Sequence, residues 1–337
     1  MQTYFIGGID LAWPNWLLRV GNQVAHKNPL LGVIFALAAS LLFGINASTT
    51  KVIITSGIQA EQVVFIRALS AGLFAFGWAL IANRDALRVP IRKLPQLAAV
   101  GIIGVGMLQY TYSQAVALLP IGIALLIEYT AVLWVPIVAV FLFKEKVKPQ
   151  IWLGAILVLG GLAVVANIFN NQLNPLGLLF GAAAAACLTI YFLSVERVQR
   201  WLPTNVAMAY GMGFSTLFFL PLANLPNFDF DRLGGLVNLG GTLGAISVPL
   251  WLLLIWLGVM GSFLPMAFSY LSLRHLSATL AGIIATSETV LAFLVALLWL
   301  NETITLTQAL GGLVVIAGIL IAQTSRRQNK EIVNVNG

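Results

Sequence analysis

Residues 123–148 read IALLIEYTAVLWVPIVAVFLFKEKVK, and this stretch decides the fold class. Residues 123–143 contain a single charged side chain, Glu128, and three lysines follow within the next five positions. At about 1.5 Å per residue, a helix of this length crosses the roughly 30 Å hydrocarbon core of a bilayer. The strict alternation of apolar and polar residues typical of a membrane β-strand is missing. The stretch therefore predicts a membrane-spanning helix that ends in a basic loop.

The rest of the chain has the same character. Of its 337 residues, 60% are hydrophobic and 9% are charged, whereas soluble domains have about 45–50% and about 25%. The single cysteine, Cys187, excludes an intrachain disulfide. Apolar runs bounded by proline, glycine or charge predict an all-α integral membrane protein with ten transmembrane helices. These runs cover residues 30–50, 62–82, 97–119, 121–143, 151–169, 176–195, 204–224, 247–273, 277–300 and 307–323.

The positive charges predict the orientation of these helices. The net charge is +7, but the basic residues are scattered in short loops, which favours membrane topology over nucleic-acid binding. With the N-terminus inside, most Lys and Arg residues fall in cytoplasmic segments, so N-in and C-in are expected. Residues 1–28 are expected to form a cytoplasmic or interfacial segment, and residues 325–337 a cytoplasmic tail. The basic residues placed inside are Arg19, Lys27, Arg84, Arg88, Arg92, Lys93, Lys144, Lys146, Lys148, Arg197, Arg200, Arg274, Arg326, Arg327 and Lys330.

The chain also contains an internal duplication. A constant shift of 157 residues aligns many positions of the two halves, and each half holds five predicted helices. Because five is odd, the second copy must enter the membrane in the opposite orientation. The predicted repeats are residues 29–169 and 170–324. The aligned pairs include Gly101 with Gly258, Gly104 with Gly261, Glu145 with Glu302, Gly154 with Gly311 and Gly161 with Gly318.

Two segments, 123–166 and 279–322, resemble the paired EamA domains of the drug/metabolite transporter superfamily. The resemblance extends over about residues 30–323. It rests on a Glu at the end of the fourth helix of each repeat, on two glycines in the next helix, on LFGINASTTK in the first helix, and on an arginine in the second. These residues are Glu145, Glu302, Gly154, Gly161, Gly311, Gly318, Asn46, Lys51 and Arg67. The chain departs from the family's small-residue-Pro step, since Ala131-Val132 and Glu288-Thr289 stand there.

The resemblance implies a ten-helix inverted-repeat fold that exports small metabolites across the cell's inner (plasma) membrane by alternating access. Amino-acid exporters are the nearest characterised members, and no cofactor or metal is implied. Multidrug or cationic-compound export and sugar-phosphate-type exchange remain alternatives. A channel is a less favoured reading. An enzyme is not expected, because the chain has only two histidines, His26 and His275, and no catalytic or metal-ligating constellation.

Three charged residues lie deep within predicted helices, and charges at that depth usually face the bundle interior. Arg67 and Glu128 have similar expected depths, roughly 11 Å below the outer surface, so we hypothesise that they pair. That pair is either a fixed ion pair or a clamp for the carboxylate and ammonium of a zwitterion. Glu288, preceded by Ser287, is the deepest carboxylate. It is a hydrogen-bonded acid, an ammonium ligand or a proton-coupling site.

Further polar residues are candidates for a substrate cavity between the helices, where amide and aromatic groups suit a small zwitterion. For the tyrosines, interfacial anchoring is the alternative. Glu145 and Glu302, at helix ends, are expected to close gates or brace helices. The cavity candidates are Asn46, Gln109, Tyr110, Tyr112, Tyr191, Ser269 and Tyr270.

Overall fold

The computed structural model describes residues 28–119, 121–144, 146–165, 174–225, 230–300 and 305–324, and most of them are helical. The first half contains α1 (Pro29–Thr55), α2 (Ala60–Ala82), α3 (Leu94–Ala99), α4 (Leu108–Leu118), α5 (Ile121–Glu128), α6 (Ala131–Phe143) and α7 (Pro149–Val165). The second half contains α8 (Pro175–Val198), α9 (Thr204–Phe219), α10 (Leu250–Gly258), α11 (Leu264–His275), α12 (Ala278–Ala285), α13 (Ser287–Leu300) and α14 (Leu306–Thr324). The predictions for residues 1–27, for 325–337 and for Glu145 and Glu302 fall outside the described residues.

Within the described residues, seven helical stretches are long and apolar enough to cross a membrane. They are Pro29–Ile54, Glu61–Ala82, Ile91–Leu118, Ile123–Leu142, Pro175–Val198, Leu250–His275 and Ala278–Trp299, and two shorter apolar helices cover Pro149–Val164 and Ala309–Ala322. Large apolar side chains cover the outer surface, with Ile81 90%, Phe141 81% and Leu298 72% exposed. Such a surface is favourable in hydrocarbon and unfavourable in water. The chain is therefore an all-α membrane protein.

Two predicted helix boundaries differ from the structure. The run 204–224 forms a helix only as far as Phe219, because Pro221 cannot continue the helical hydrogen bonding. The run 247–273 begins with a strand, β2 (Ser247–Pro249), which pairs antiparallel with β1 (Leu236–Asn238) in the loop before α10. In this loop the Thr242 hydroxyl donates to the carbonyls of Leu298 and Trp299 at the end of α13. The loop thus covers the end of a membrane helix.

The helix interruptions of the two halves follow the 157-residue register. The membrane-spanning stretch Ile123–Leu142 contains the break between α5 and α6, and the stretch Ala278–Trp299 contains the break between α12 and α13. Adding 157 to the bounds of α5, 121 and 128, gives 278 and 285, which are the bounds of α12. A π-helical segment, Val100–Met107, joins α3 to α4, and a second one, Val259–Phe263, joins α10 to α11. Shifting 100–107 by 157 gives 257–264, which contains the second segment. The backbone therefore repeats the irregularities as well as the helices.

Glycines allow α7 and α14 to pack closely. A Cβ added to Gly154 would lie 2.7 Å from the Gly318 carbonyl oxygen, and one added to Gly161 would lie 2.7 Å from that of Gly311. Residue numbers rise along α7 while those of its contacts fall along α14, so the two helices are antiparallel. Small residues permit this backbone approach in membranes, where packing drives helix association.

Other contacts between the halves are reciprocal. A Cβ at Gly32, in α1, would lie 2.7 Å from Leu276 Cγ, and a Cβ at Gly177, in α8, would lie 2.7 Å from Leu119 Cγ. Adding 157 to 119 gives 276, so each half packs the start of its first helix against the same position of the other half. The two halves therefore pack against each other through equivalent positions.

Candidate functional site

Both helices are interrupted at a threonine. Between α5 and α6, the Thr130 hydroxyl donates to the Ile127 carbonyl at 2.7 Å. Between α12 and α13, the Thr286 hydroxyl donates to the Ile283 carbonyl at 2.6 Å. Such side-chain bonds compete with the helical ladder and bend helices. The interruption occurs although the family's small-residue-Pro step is absent, and it exposes backbone dipoles at the new helix ends.

Glu288 lies in the first turn of α13, directly after this interruption. Its Oε2 accepts a hydrogen bond from the Tyr129 hydroxyl at 2.7 Å. Tyr129 follows the last residue of α5, so the bond joins the α5–α6 interruption to the α12–α13 interruption. The other oxygen, Oε1, accepts no hydrogen bond from the described residues and is not occluded. One oxygen of the carboxylate is thus fixed by Tyr129, and the other is available to a ligand.

Arg67, in α2, is held by the second π-helical segment. Its Nε donates to the Ser262 hydroxyl and its Nη2 to the Gly261 carbonyl, both at 3.1 Å. Arg67 is 8% exposed. Within the described residues no ion pair joins Arg67 to Glu128. The two residues match in depth, but packing of α2 against the π-helical segment places two neutral acceptors nearer to the guanidinium.

Glu128 and Tyr112 complete the group around Arg67 and Glu288. Glu128 lies within electrostatic range of Glu288, and Tyr112 within range of Arg67 and of both carboxylates. Glu288 and Arg67 are also within range of each other. The Glu128 carboxylate, 9% exposed, accepts no hydrogen bond from the described residues and its oxygens are not occluded. We call these five residues, Arg67, Tyr112, Glu128, Tyr129 and Glu288, the charged cluster.

Three further predicted site residues have different surroundings, and they are Asn46, Gln109 and Ser287. Asn46 packs against Gly261, where its Oδ1 occupies the space that a Cβ would need, and so supports the segment that binds Arg67. Ser287 precedes Glu288, and its hydroxyl is buried without a hydrogen-bond partner in the described residues. The Gln109 side-chain oxygen is likewise buried and unpartnered there. Buried polar atoms of this kind are costly unless another group binds them.

Three of the predicted cavity residues form a separate polar group. The Tyr191 hydroxyl bonds to the Ser269 hydroxyl at 2.9 Å, and the rings of Tyr191 and Tyr270 meet edge to face with centroids 5.8 Å apart. Tyr270 is completely buried, and the Gln199 side chain donates to its carbonyl at 2.7 Å. These contacts join α8 to α11. The structure therefore places Tyr191, Ser269 and Tyr270 together.

Tyr110 belongs to neither group. It lines an open pocket of about 600 Å³ together with Gln59, Glu61, Leu222 and Asn224. Tyr112 is two residues away, and two residues turn a helix by about 200°. The two tyrosines therefore point to opposite sides of α4, and only Tyr112 meets the charged cluster.

Sequence reasoning missed Tyr129, Gly261 and Ser262. Tyr129 is adjacent to Glu128 in the middle of an apolar run, where a tyrosine cannot be an interfacial anchor. That position was the available signal for Tyr129. Gly261 was recognised as part of the repeat, but nothing in its sequence context indicates that its carbonyl binds a guanidinium. Within the described residues, no group of three His, Cys, Asp or Glu side chains is arranged to hold a metal ion.

The EamA-like transporter family matches this chain twice, over residues 30–167 and 175–324. The chain belongs to this family. EamA-like membership makes the protein a multi-pass membrane transporter of small molecules rather than an enzyme. The resemblance drawn from the sequence is thereby confirmed.

Several curated relatives and one solved structure are similar to this EamA-like chain. An uncharacterized transporter from Archaeoglobus fulgidus is 28% identical over 85% of this chain and 95% of its own length. The threonine/homoserine exporter RhtA of Escherichia coli K12 is 26% identical over 68% of this chain and 71% of its own. The uncharacterized transporter YdfC of Bacillus subtilis is 23% identical over 83% of this chain and 88% of its own length. A crystal structure superposes with a TM-score of 0.70 at 19% identity, covering 88% of this chain and 98% of its own, and supports the fold alone.

Proposed function

We propose that this EamA-like protein exports small amino acids, such as threonine, across the plasma membrane by alternating access. The similarity to a threonine/homoserine exporter supports the substrate class. The single observation that carries the proposal is the charged cluster, in which one cation and two carboxylates lie together without an ion pair between the described residues. Unpaired charge inside a membrane is costly and marks sites where a ligand supplies the missing partner.

We propose an architecture of ten helices in two inverted five-helix repeats, residues 29–169 and 170–324, with both termini in the cytoplasm. Three observations support it: the shared 157-residue register, the antiparallel packing of α7 and α14, and the reciprocal contacts of Gly32 and Gly177. The distribution of basic residues supports the orientation. In such a fold a midplane site is exposed alternately to each side as the repeats rock against each other.

The proposed site binds the substrate in one orientation. Arg67 meets the carboxylate, because a guanidinium presents paired N–H donors that match two carboxylate oxygens. Glu288, with Glu128 beside it, meets the ammonium. The helix ends at the two interruptions add fixed dipoles near both groups. Asn46, Tyr112 and Ser287 supply neutral hydrogen-bonding groups around the substrate.

Proton coupling is part of the proposal. When both carboxylates are ionised, the cluster holds two negative charges and one positive charge, and either the substrate ammonium or a proton can neutralise the excess. An exchange of the two at Glu288 would couple export to a proton gradient. The same excess of negative charge favours the second candidate function, export of cationic compounds, whereas a sugar phosphate would meet more acid than base.

The test uses the purified protein in proteoliposomes. Counterflow of labelled threonine is measured against a panel that contains other amino acids, a quaternary amine and a sugar phosphate, with and without a pH gradient. The expected result is saturable threonine counterflow that other zwitterions inhibit. A proton gradient directed opposite to the movement of threonine should drive threonine accumulation. Transport of the quaternary amine alone would favour cation export. Single-channel conductance would refute a carrier.

A further inference from the structure

Each of the two opposite charges of the site is held by a residue from the other half of the chain. Glu288, in the second half, accepts from Tyr129 in the first half at 2.7 Å. Arg67, in the first half, donates to Ser262 and Gly261 in the second, both at 3.1 Å. In each case the holding residue lies at an irregular point of a helix, at the α5–α6 interruption or in the π-helical segment. Neither Tyr129 nor Ser262 carries charge.

The geometry of Glu288 shows what Tyr129 achieves. A carboxylate has two oxygens, and Tyr129 engages only Oε2. Oε1 accepts no hydrogen bond from the described residues and is not occluded. Without the phenol, the Glu288 carboxylate could rotate about its Cγ–Cδ bond and turn both oxygens towards Arg67. The tyrosine bond therefore fixes which oxygen remains available to a ligand.

The geometry of Arg67 is analogous. Ser262 and Gly261 together engage the edge of the guanidinium formed by Nε and Nη2. The edge that includes Nη1 donates to none of the described residues and is not occluded. Because the guanidinium is planar and rigid, fixing one edge also fixes the direction of the other. The free edge can then receive a carboxylate through two parallel bonds.

From this we infer that Tyr129 and Ser262 are positioning residues that set the polarity of the site. Tyr129 presents Glu288 to the ammonium of the substrate, and Ser262 presents Arg67 to its carboxylate. The inference rests on the proposed function, since it assumes a zwitterionic substrate. It adds that neutral residues prevent the opposite charges from collapsing onto each other when the site is empty.

The test separates the two ends of the substrate. Binding to the full-length protein in nanodiscs is measured for threonine, for 3-hydroxybutyrate, which lacks the ammonium, and for 1-amino-2-propanol, which lacks the carboxylate. Tyr129→Phe should weaken threonine and the amine about tenfold and leave the acid unchanged, since a hydrogen bond to a charged group is lost. Ser262→Ala should weaken threonine and the acid by a similar factor and leave the amine unchanged. Ser262→Thr keeps the hydroxyl and should therefore bind threonine and the acid as the unaltered protein does.

Matched controls show whether the effects are specific. Tyr210→Phe removes a phenol that also makes a 2.7 Å bond, to the Leu87 carbonyl. Ser70→Ala removes a hydroxyl one turn from Arg67 that bonds only to its own helix. Both controls should bind all three ligands as the unaltered protein does. Combining Tyr129→Phe with Glu288→Gln should cost no more than Glu288→Gln alone, because both act on the same end of the ligand.

The inference is overturned if either variant weakens all three ligands equally, or if the double variant shows the product of the single effects. Equal weakening would mean that Tyr129 and Ser262 only support the fold. A different result would reject the proposed function itself, namely that the unaltered protein binds neither threonine nor any other amino acid. Binding by the unaltered protein with no separation among the variants would reject the positioning roles alone.

Discussion

Adjacent glycines in α7 provide a matched pair for testing the packing of the two halves. A Cβ at Gly161 would lie 2.7 Å from the Gly311 carbonyl oxygen and 2.8 Å from the Val315 backbone nitrogen, whereas a Cβ at Gly160 would meet nothing within 4 Å. An ordinary contact begins near 3.4 Å, so Gly161→Ala requires α7 and α14 to separate by about 0.7 Å. A gap of that size forfeits a quarter to a half of the dispersion energy of the atoms that lose contact.

The two substitutions should therefore have opposite effects on stability. Overpacking at Gly161→Ala should destabilise the protein by about 1–3 kcal/mol. Gly160→Ala adds the same methyl group to open space and should be neutral or stabilise by up to about 1 kcal/mol, because alanine favours helix. The difference, about 1–4 kcal/mol, is measurable as a difference in the free energy of unfolding in detergent micelles. Equal stability of the two variants would refute the close packing of α7 against α14.

Three further predictions concern the site. Glu288→Gln should weaken threonine binding at least tenfold, because the ion pair between Glu288 and the substrate ammonium is lost. It should also abolish the pH dependence of counterflow. If binding and pH dependence were both unchanged, Glu288 would have no part in the mechanism. Exchanging the charges, Arg67→Glu with Glu128→Arg, should not restore transport, because the Gly261 carbonyl can only accept and would face a carboxylate at position 67. Full recovery would mean that Arg67 and Glu128 form a plain ion pair. Thr286→Val should slow counterflow by removing the interruption between α12 and α13. Thr189→Val, which removes a similar 2.8 Å bond within the uninterrupted α8, should leave the rate unchanged, and equal rates in the two variants would contradict a role for the interruption.

Some features of the site were within reach of the sequence and others were not. Arg67, Glu128 and Glu288 stand out because a charge in an apolar run is unusual wherever the helix packs. Their partners depend on how helices rotate and which ones are neighbours. Depth along the membrane was equally compatible with Glu128 and with Ser262 as the partner of Arg67. Only the packing of α2 against the π-helical segment decided between them.

The sequence by itself determined the membrane class, the order of the helices and the duplication, because hydropathy and a constant register are properties of the chain read along its length. The stretch 123–148 already contained a spanning helix and its basic end. The tertiary structure decided that Tyr129 reaches Glu288 and that Arg67 binds Ser262 and Gly261. These contacts join residues at least 159 positions apart, and local pattern carries no information about such contacts.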